Sequence, residues 1–239
     1  MLRASFVYLF VALYVLIAGP IGIIGSLLSG RTDLVYGLAR LCLRLAGWMS
    51  GIRLVIRGQE RILPDHTYLF LSNHQSNFDG PILLHTTGRN LRAIVKTEMM
   101  RIPLLSMVLR RVQFVPIDRK DPVQARAGLD RAAQLLRNGF SFFAFPEGTR
   151  SRDGFLGQFK KGVFVMAIQA GMPVVPVSIR NSRALQLPGR YGIRPATVEV
   201  AFHDPIDTSI MKLEDRDYLL RLTREAILRG LDTAAAGGR

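Results

Sequence analysis

The sequence predicts an α/β fold: a mostly parallel or mixed central sheet flanked by helices, preceded by a two-helix membrane-anchoring element at the N-terminus. Three observations carry that expectation. After position 51, short apolar runs of strand length alternate with longer amphipathic ones, the pattern of a sheet built by repeated crossovers. Residues 4–30 hold no charged side chain; these 27 positions, bounded by Arg3 and Arg31, are long enough for a helix to cross a hydrocarbon core of about 30 Å. A chain of 239 residues that is 49% hydrophobic can bury one sizeable core and a short extra element. The expected division is therefore a membrane-associated segment, 1–50, and one catalytic-sized domain, 51–239.

The N-terminal run is overlong for a cleaved leader, and no Ala-x-Ala site precedes the folded part. Gly19-Pro20 interrupts it, which is compatible with a kink or with a re-entrant hairpin. Gly22, Gly25, Ser26 and Gly30 would let a second helix approach closely. That helix is expected over 33–49, where Leu34, Leu38, Leu41, Leu45 and Trp48 share a face and Arg40 and Arg44 lie off it. The pattern suits a helix lying in a membrane interface and equally an ordinary core-facing helix. Six arginines against two acids between Arg31 and Arg61 put the folded part on the cytoplasmic side of the cytoplasmic membrane. Spanning and monotopic attachment both stay open.

In the folded domain, strands are expected at 52–57, 67–71, 91–95, 112–116, 140–145, 173–179 and 197–202. A helix should begin near 80, with Asp79 as its N-cap and Pro81 in its first turn. Others are expected at 102–109, at 124–138 with Gly139 as its stop, at 160–170 ended by Gly171, and at 213–231, with 234–239 frayed. Composition narrows the partners. The net charge of +14 points to a polyanion: nucleic acid, an anionic membrane surface or a phosphorylated substrate. The single cysteine, Cys42, excludes an internal disulfide and a cysteine-based metal cluster. His66, His85 and His203 lack metal-ligand spacing, so no metal is expected.

Chemistry is expected at Asn73-His74-Gln75-Ser76-Asn77-Phe78-Asp79, between a strand and the helix that follows it. On one continuous helix, residues five apart point about 140° away from each other and cannot pair. Across a loop-to-helix junction the Asp79 carboxylate can turn back to the His74 imidazole, orient its tautomer and stabilise its protonated form. No Ser or Cys stands beside the pair in an obvious elbow, so the base would act on a hydroxyl carried by the substrate. The same spacing also describes a surface loop with a capped helix, and later residues have to decide. Three further strand ends have anion-binding character. Arg119, after Val115-Pro116-Ile117-Asp118, and Arg150, after Phe145-Pro146-Glu147-Gly148-Thr149, present guanidinium forks that match phosphate oxygens. Gly148 would let the backbone close to a ligand, and Glu147 would hold a guanidinium or accept from a substrate hydroxyl. Pro176, within Val174-Val175-Pro176-Val177-Ser178-Ile179, suggests an edge strand or a bulge. Each has a local alternative: Arg119 paired with Asp118 or Asp121, Arg150 with Glu147, Pro176 only shaping a strand.

Asn-His-Gln-Ser-x-x-Asp, then Ile-Asp-Arg, then Phe-Pro-Glu-Gly-Thr-Arg-Ser, then Val-Pro-Val, in this order and spacing, resemble the four motifs of the glycerolipid acyltransferase family. The match is nearest to the bacterial 1-acylglycerol-3-phosphate acyltransferases and spans roughly 52–204. Nothing in the four motifs departs from the family pattern. The resemblance implies His74 as general base and Asp79 as its orienter. It implies Arg119, Glu147, Gly148, Thr149 and Arg150 as ligands of the acceptor's glycerol phosphate, with Lys96 as a further phosphate candidate and Pro176 near the acyl donor. The implied reaction moves an acyl chain from acyl-CoA or acyl-carrier protein to the free 2-hydroxyl of lysophosphatidic acid, giving phosphatidic acid. It needs no covalent acyl-enzyme, metal or cofactor. Its partners would be membrane lipid, the acyl donor and an anionic membrane surface. Rivals are acylation of another lyso-lipid or of glycerol 3-phosphate, and a non-catalytic protein that binds anionic lipid. Nucleic acid is disfavoured by the lack of an aromatic-interleaved basic stretch, and a hydrolase by the lack of a Gly-x-Ser-x-Gly elbow.

Overall fold

The structure, a computed structural model, describes residues 2–151, 153–186 and 191–232. Arg152 and the expected frayed tail at 234–239 lie outside them. Helix α1 (Leu2–Ser29) continues as one helix through Gly19-Pro20 instead of turning back as a hairpin; Pro20 sits on an exposed face. Helix α2 (Asp33–Ser50) folds back along it. Small residues set their approach. A β-carbon on Gly22 would lie 3.4 Å from Leu38, and one on Gly25 only 2.5 Å from Leu34. The Tyr14 hydroxyl adds a hydrogen bond to the Leu38 carbonyl at 3.0 Å. The last carbonyls of a helix have no partner within it, and here Arg111 donates to the Ser26 carbonyl and hydroxyl, tying the end of α1 to the folded domain. Phe6, Leu9, Leu13, Leu16, Ile17 and Leu27 stay exposed. Among the described residues α1 is the one helix long and apolar enough to cross a membrane.

Seven strands form one mixed sheet: β1 (Ile52–Arg57), β2 (Leu69–Ser72), β3 (Arg92–Lys96), β4 (Val115–Ile117), β5 (Phe142–Ala144), β6 (Val174–Arg180) and β7 (Ala196–Phe202). Their spatial order is β1-β7-β6-β2-β5-β3-β4. Every neighbouring pair is parallel except β6–β7. Strands β1 and β7 therefore run against the other five, whose carboxyl ends all open on one edge. Helices α5 (Pro122–Arg137), α6 (Gly162–Ala170) and α8 (Arg216–Asp232) accompany one face, where Leu71, Leu136, Phe142, Phe164 and Leu219 form the core. On the other face Phe70, Leu83, Val175, Val177 and Phe202 pack with α3 (Asp79–Thr86). Each fully buried side chain of this size contributes about 1.5–3 kcal/mol.

Several boundaries differ from the sequence pattern, each for a local reason. The apolar run at 112–116 yields a strand only from Val115, because the Val112 and Gln113 N–H groups still close the end of α4 (Pro103–Arg111). The run at 140–145 contracts to Phe142–Ala144: the Phe140 N–H bonds to the Leu135 carbonyl of α5, and the Phe145 carbonyl turns to accept from Gly148. A short helix, α7 (Ser182–Leu185), has no periodic signal of its own. Strand β6 is not an edge, since β2 and β7 flank it. The bulge expected from Pro176 lies in its neighbour: regular pairing ends at Val177↔Phe202, and the next contact, Val174↔Ile206, leaves three residues, 203–205, opposite two, 175 and 176. Pro176, which has no N–H to give, sits where the ladder is already broken, and its carbonyl accepts from the His203 N–H at 3.0 Å.

Candidate active site

Strand β2 delivers Asn73 and His74 to the open edge. The Asn73 amide holds that exit in place by bridging to β6: its nitrogen donates to the Ile179 carbonyl and its oxygen accepts from the Ile179 N–H, both at 2.8 Å. Asp79 is the first residue of α3, and Phe78 takes the N-cap position expected for it. The reason is that the Asp79 carboxylate points back into the loop. Its Oδ2 accepts from the Gln75 and Ser76 N–H groups at 2.7 Å and from His74 Nδ1 at 2.8 Å. Asp79 is 0% exposed, so this loop closes over it. A carboxylate on Nδ1 assigns the proton to that nitrogen and leaves Nε2 with a lone pair. The imidazole also lies flat on Phe145, 3.9 Å between ring centres and 9° between planes, a surface that suits the ring charged as well as neutral.

Strand β5 delivers Glu147, whose carboxylate is buried. Among the described residues it holds no guanidinium: Oε1 accepts the His74 N–H at 2.7 Å and Oε2 the Gly157 N–H at 2.9 Å. Burial pushes the Glu147 carboxyl above its usual range, and these two amides and the nearby imidazole oppose that shift. The Ser151 N–H donates to the His74 carbonyl at 2.8 Å, so His74 is tied at both backbone groups. Gly148 is left-handed, φ +74°, where a β-carbon would also come within 3.0 Å of the Lys160 side chain. Thr149 and Arg150 are exposed beyond it, and Arg150 has no ion pair among the described residues. Lys96 and Arg119 end β3 and β4 at the same edge, both exposed. Arg119 pairs with neither nearby acid; Asp118 accepts from the Lys120 N–H, and Asp121 caps α5 through the Val123 and Gln124 N–H groups. Pro176 stands apart. It is buried within β6 in register with Leu71, whereas the Ile179 backbone, three residues on, meets Asn73.

The arrangement is a buried carboxylate, an oriented imidazole and a rim of exposed cations, Lys96, Arg119 and Arg150, along one sheet edge. Residues 53–180 match the model of the acyltransferase family. The chain belongs to the acyltransferase family. This chain is 36% identical over 179 residues to the chloroplastic 1-acyl-sn-glycerol-3-phosphate acyltransferase LPAT1 of Arabidopsis thaliana, covering 74% of this chain and 49% of that one. It thus spans about half the length of that plant relative. It is 27% identical over 196 residues to the 1-acyl-sn-glycerol-3-phosphate acyltransferase of Borreliella burgdorferi, covering 82% of this chain and 78% of the relative. The crystal structure of the 1-acyl-sn-glycerophosphate acyltransferase PlsC from Thermotoga maritima superposes with a TM-score of 0.86 at 28% identity, over 98% of this chain and 95% of the other.

Three residues of the candidate site have no assigned part in the sequence reading. Phe145 carries the imidazole ring, Asn73 locks the exit of β2, and Gly157 bonds to Glu147. The first two sit inside quoted motifs, where a buried polar residue and an aromatic at a strand end are visible. Gly157 lies in a stretch without helix or strand and carries no periodic signal.

Proposed function

We propose that the protein transfers an acyl chain from a thioester donor, acyl-CoA or acyl-carrier protein, to the free 2-hydroxyl of lysophosphatidic acid. The observation that carries the proposal is the 2.8 Å contact between His74 Nδ1 and Asp79 Oδ2, which leaves Nε2 without a hydrogen-bond partner among the described residues. Names of relatives and of the Thermotoga maritima structure support the substrate class. Nε2 takes the proton of the substrate hydroxyl as that oxygen bonds to the thioester carbonyl carbon. The carbon–sulfur bond then breaks, and the imidazolium returns its proton to the departing thiolate, so no acyl-enzyme forms. Asp79 stabilises the imidazolium between the two steps. Thr149 and Arg150 beyond β5, with Lys96 and Arg119 at the ends of β3 and β4, would hold the acceptor phosphate. The exposed apolar face of α1 would place the site at an anionic membrane surface.

The test is the purified chain in detergent micelles with labelled oleoyl-CoA and a panel of lyso-lipids, products identified by mass spectrometry. Phosphatidic acid from lysophosphatidic acid is expected, and His74→Ala should lower turnover by about 10³-fold or more while leaving the fold and vesicle binding intact. Acylation of a different lyso-lipid in preference, or near-normal turnover by His74→Ala, overturns the proposal.

A further inference from the structure

The base is anchored by a line of contacts that begins far from it in sequence. Residues 153–159 form neither helix nor strand, so side chains hold this stretch in place. Both backbone groups of Gly157 are used. Its N–H donates to Glu147 Oε2 at 2.9 Å, and its carbonyl accepts from Arg224 Nη1; the second nitrogen of that guanidinium, Nη2, donates to the Leu156 carbonyl at 3.0 Å. A planar fork on two successive carbonyls is a charge-assisted pair that fixes orientation as well as distance. The Phe159 ring, 5.3 Å from the guanidinium carbon, supports its plane. At position 157 only a glycine allows the carboxylate so close, because a β-carbon would lie 2.9 Å from Glu147 Oε2. The other Glu147 oxygen takes the His74 N–H at 2.7 Å. Hydrogen bonds therefore run unbroken from α8 through Leu156-Gly157 and Glu147 to the backbone of His74.

We infer that Arg224 is a positioning residue of the active site: by clamping the Leu156 and Gly157 carbonyls it keeps the Gly157 amide on Glu147, and Glu147 in turn keeps the His74 imidazole in place. The inference rests on the reading of His74 as the base. Arg224 lies beyond the matched 53–180 region and belongs to none of the four motifs. Its effect passes through geometry, since misplacing a catalytic group by about 1 Å costs up to about 100-fold in rate. It also passes through charge: without the Gly157 N–H, buried Glu147 loses one of the two amide contacts that oppose its protonation.

The experiment compares Arg224→Met, Gly157→Ala, Glu147→Gln and the Arg224→Met/Glu147→Gln double variant, with Arg221→Met one turn away as control; Arg221 faces Tyr218 and Glu225 on the surface of α8. Kinetics in micelles with lysophosphatidic acid and oleoyl-CoA should show kcat down about 10–100-fold for Arg224→Met, with the acceptor KM within about twofold. The acid limb of its pH–kcat profile should move to higher pH, and Arg221→Met should match the wild type. The double variant should be no slower than the worse single variant, because both cut one line of contacts. Losses that multiply, an effect confined to KM, or a lower melting temperature with kcat intact would each overturn the inference. If Arg224→Met does not fold, Gly157→Ala breaks the line from the other side and must give the same kcat and pH signature. If the wild type acylates no lyso-lipid, the functional proposal falls by itself. The positioning claim is then decided by the His74 Cε1–H chemical shift at one fixed pH, which must be displaced in the same direction in Arg224→Met, or Gly157→Ala, as in Glu147→Gln; an unmoved resonance overturns it.

Discussion

Replacing Asp79 by Asn removes one charge and almost no volume, so it separates the electrostatic role of that side chain from its place in the loop. The amide oxygen can still accept from the Gln75 and Ser76 N–H groups at the 2.7 Å positions, and the loop should persist. What is lost is the attraction between carboxylate and imidazolium at 2.8 Å. Asp79 is fully buried and the His74 side chain is 20% exposed, so the pair is only lightly screened. With an effective dielectric of about 20, two unit charges at this range attract by roughly 4–6 kcal/mol. At about 1.4 kcal/mol per decade, the expected fall in kcat is about 10³–10⁴-fold. The assay is thiol release from oleoyl-CoA at saturating lysophosphatidic acid in micelles, with melting temperature and circular dichroism recorded on the same preparation. The acceptor KM should stay within about twofold, because Asp79 is buried beneath the loop and reaches no substrate. A well-folded Asp79→Asn protein that retained more than a tenth of wild-type kcat would refute the assignment of Asp79 to the imidazolium.

The remaining expectations concern the rim, the turn and the pH dependence of stability. Arg150→Ala should raise the acceptor KM about five- to tenfold with little change in kcat, the loss of one charge-assisted contact to a phosphate; steady-state kinetics with the acceptor varied would expose an unchanged KM. Gly148→Ala should cost about 1–2 kcal/mol, since its φ of +74° is strained for any side chain and the Lys160 side chain must move aside; urea titration reads the shift in midpoint. The His203 imidazole is pushed below its usual range by burial and then by the Arg61 and Arg229 cations, with Asp204 opposing. Its unfolded form takes up a proton first, near pH 6.5, so the stability tied to neutral His203 is complete above that pH and is lost as pH falls through the lower folded value. The melting temperature should therefore drop between pH 7 and pH 5, and His203→Gln should flatten part of the slope. His85, lowered by burial and by Arg44 and Arg40, keeps the remainder, so an unaltered slope in His203→Gln would contradict this account.

The parts that could be read in advance were those encoded within a few residues. His74 and Asp79 are five apart, and the need for a junction between them follows from helix geometry alone. Alternation over 52–57 and 197–202 marked β1 and β7 almost to the residue. The direction of β7 against β6 could not be read, because alternation is the same whichever way a strand runs. Pro20 shows another limit: a proline breaks a helix in a solvent-exposed peptide, yet α1 continues across it. Glu147 shows why roles are harder than places. A carboxylate that receives two backbone amides and one that receives a ligand look identical as a letter. Arg224 meets its partners 67 and 68 residues away, a separation at which local pattern carries no information.

The two free margins of the sheet differ in how they are finished. At one, β4 is three residues long with Pro116 at its centre; at the other, β1 alternates exposed Arg53, Val55 and Arg57 with half-buried apolar residues. A short strand interrupted by a ring, and a strand flanked by like charges, are poor templates for an incoming chain. Molecules crowded side by side on a two-dimensional surface would then meet without zipping their sheets together, and the protein could be made abundantly without seeding fibrils.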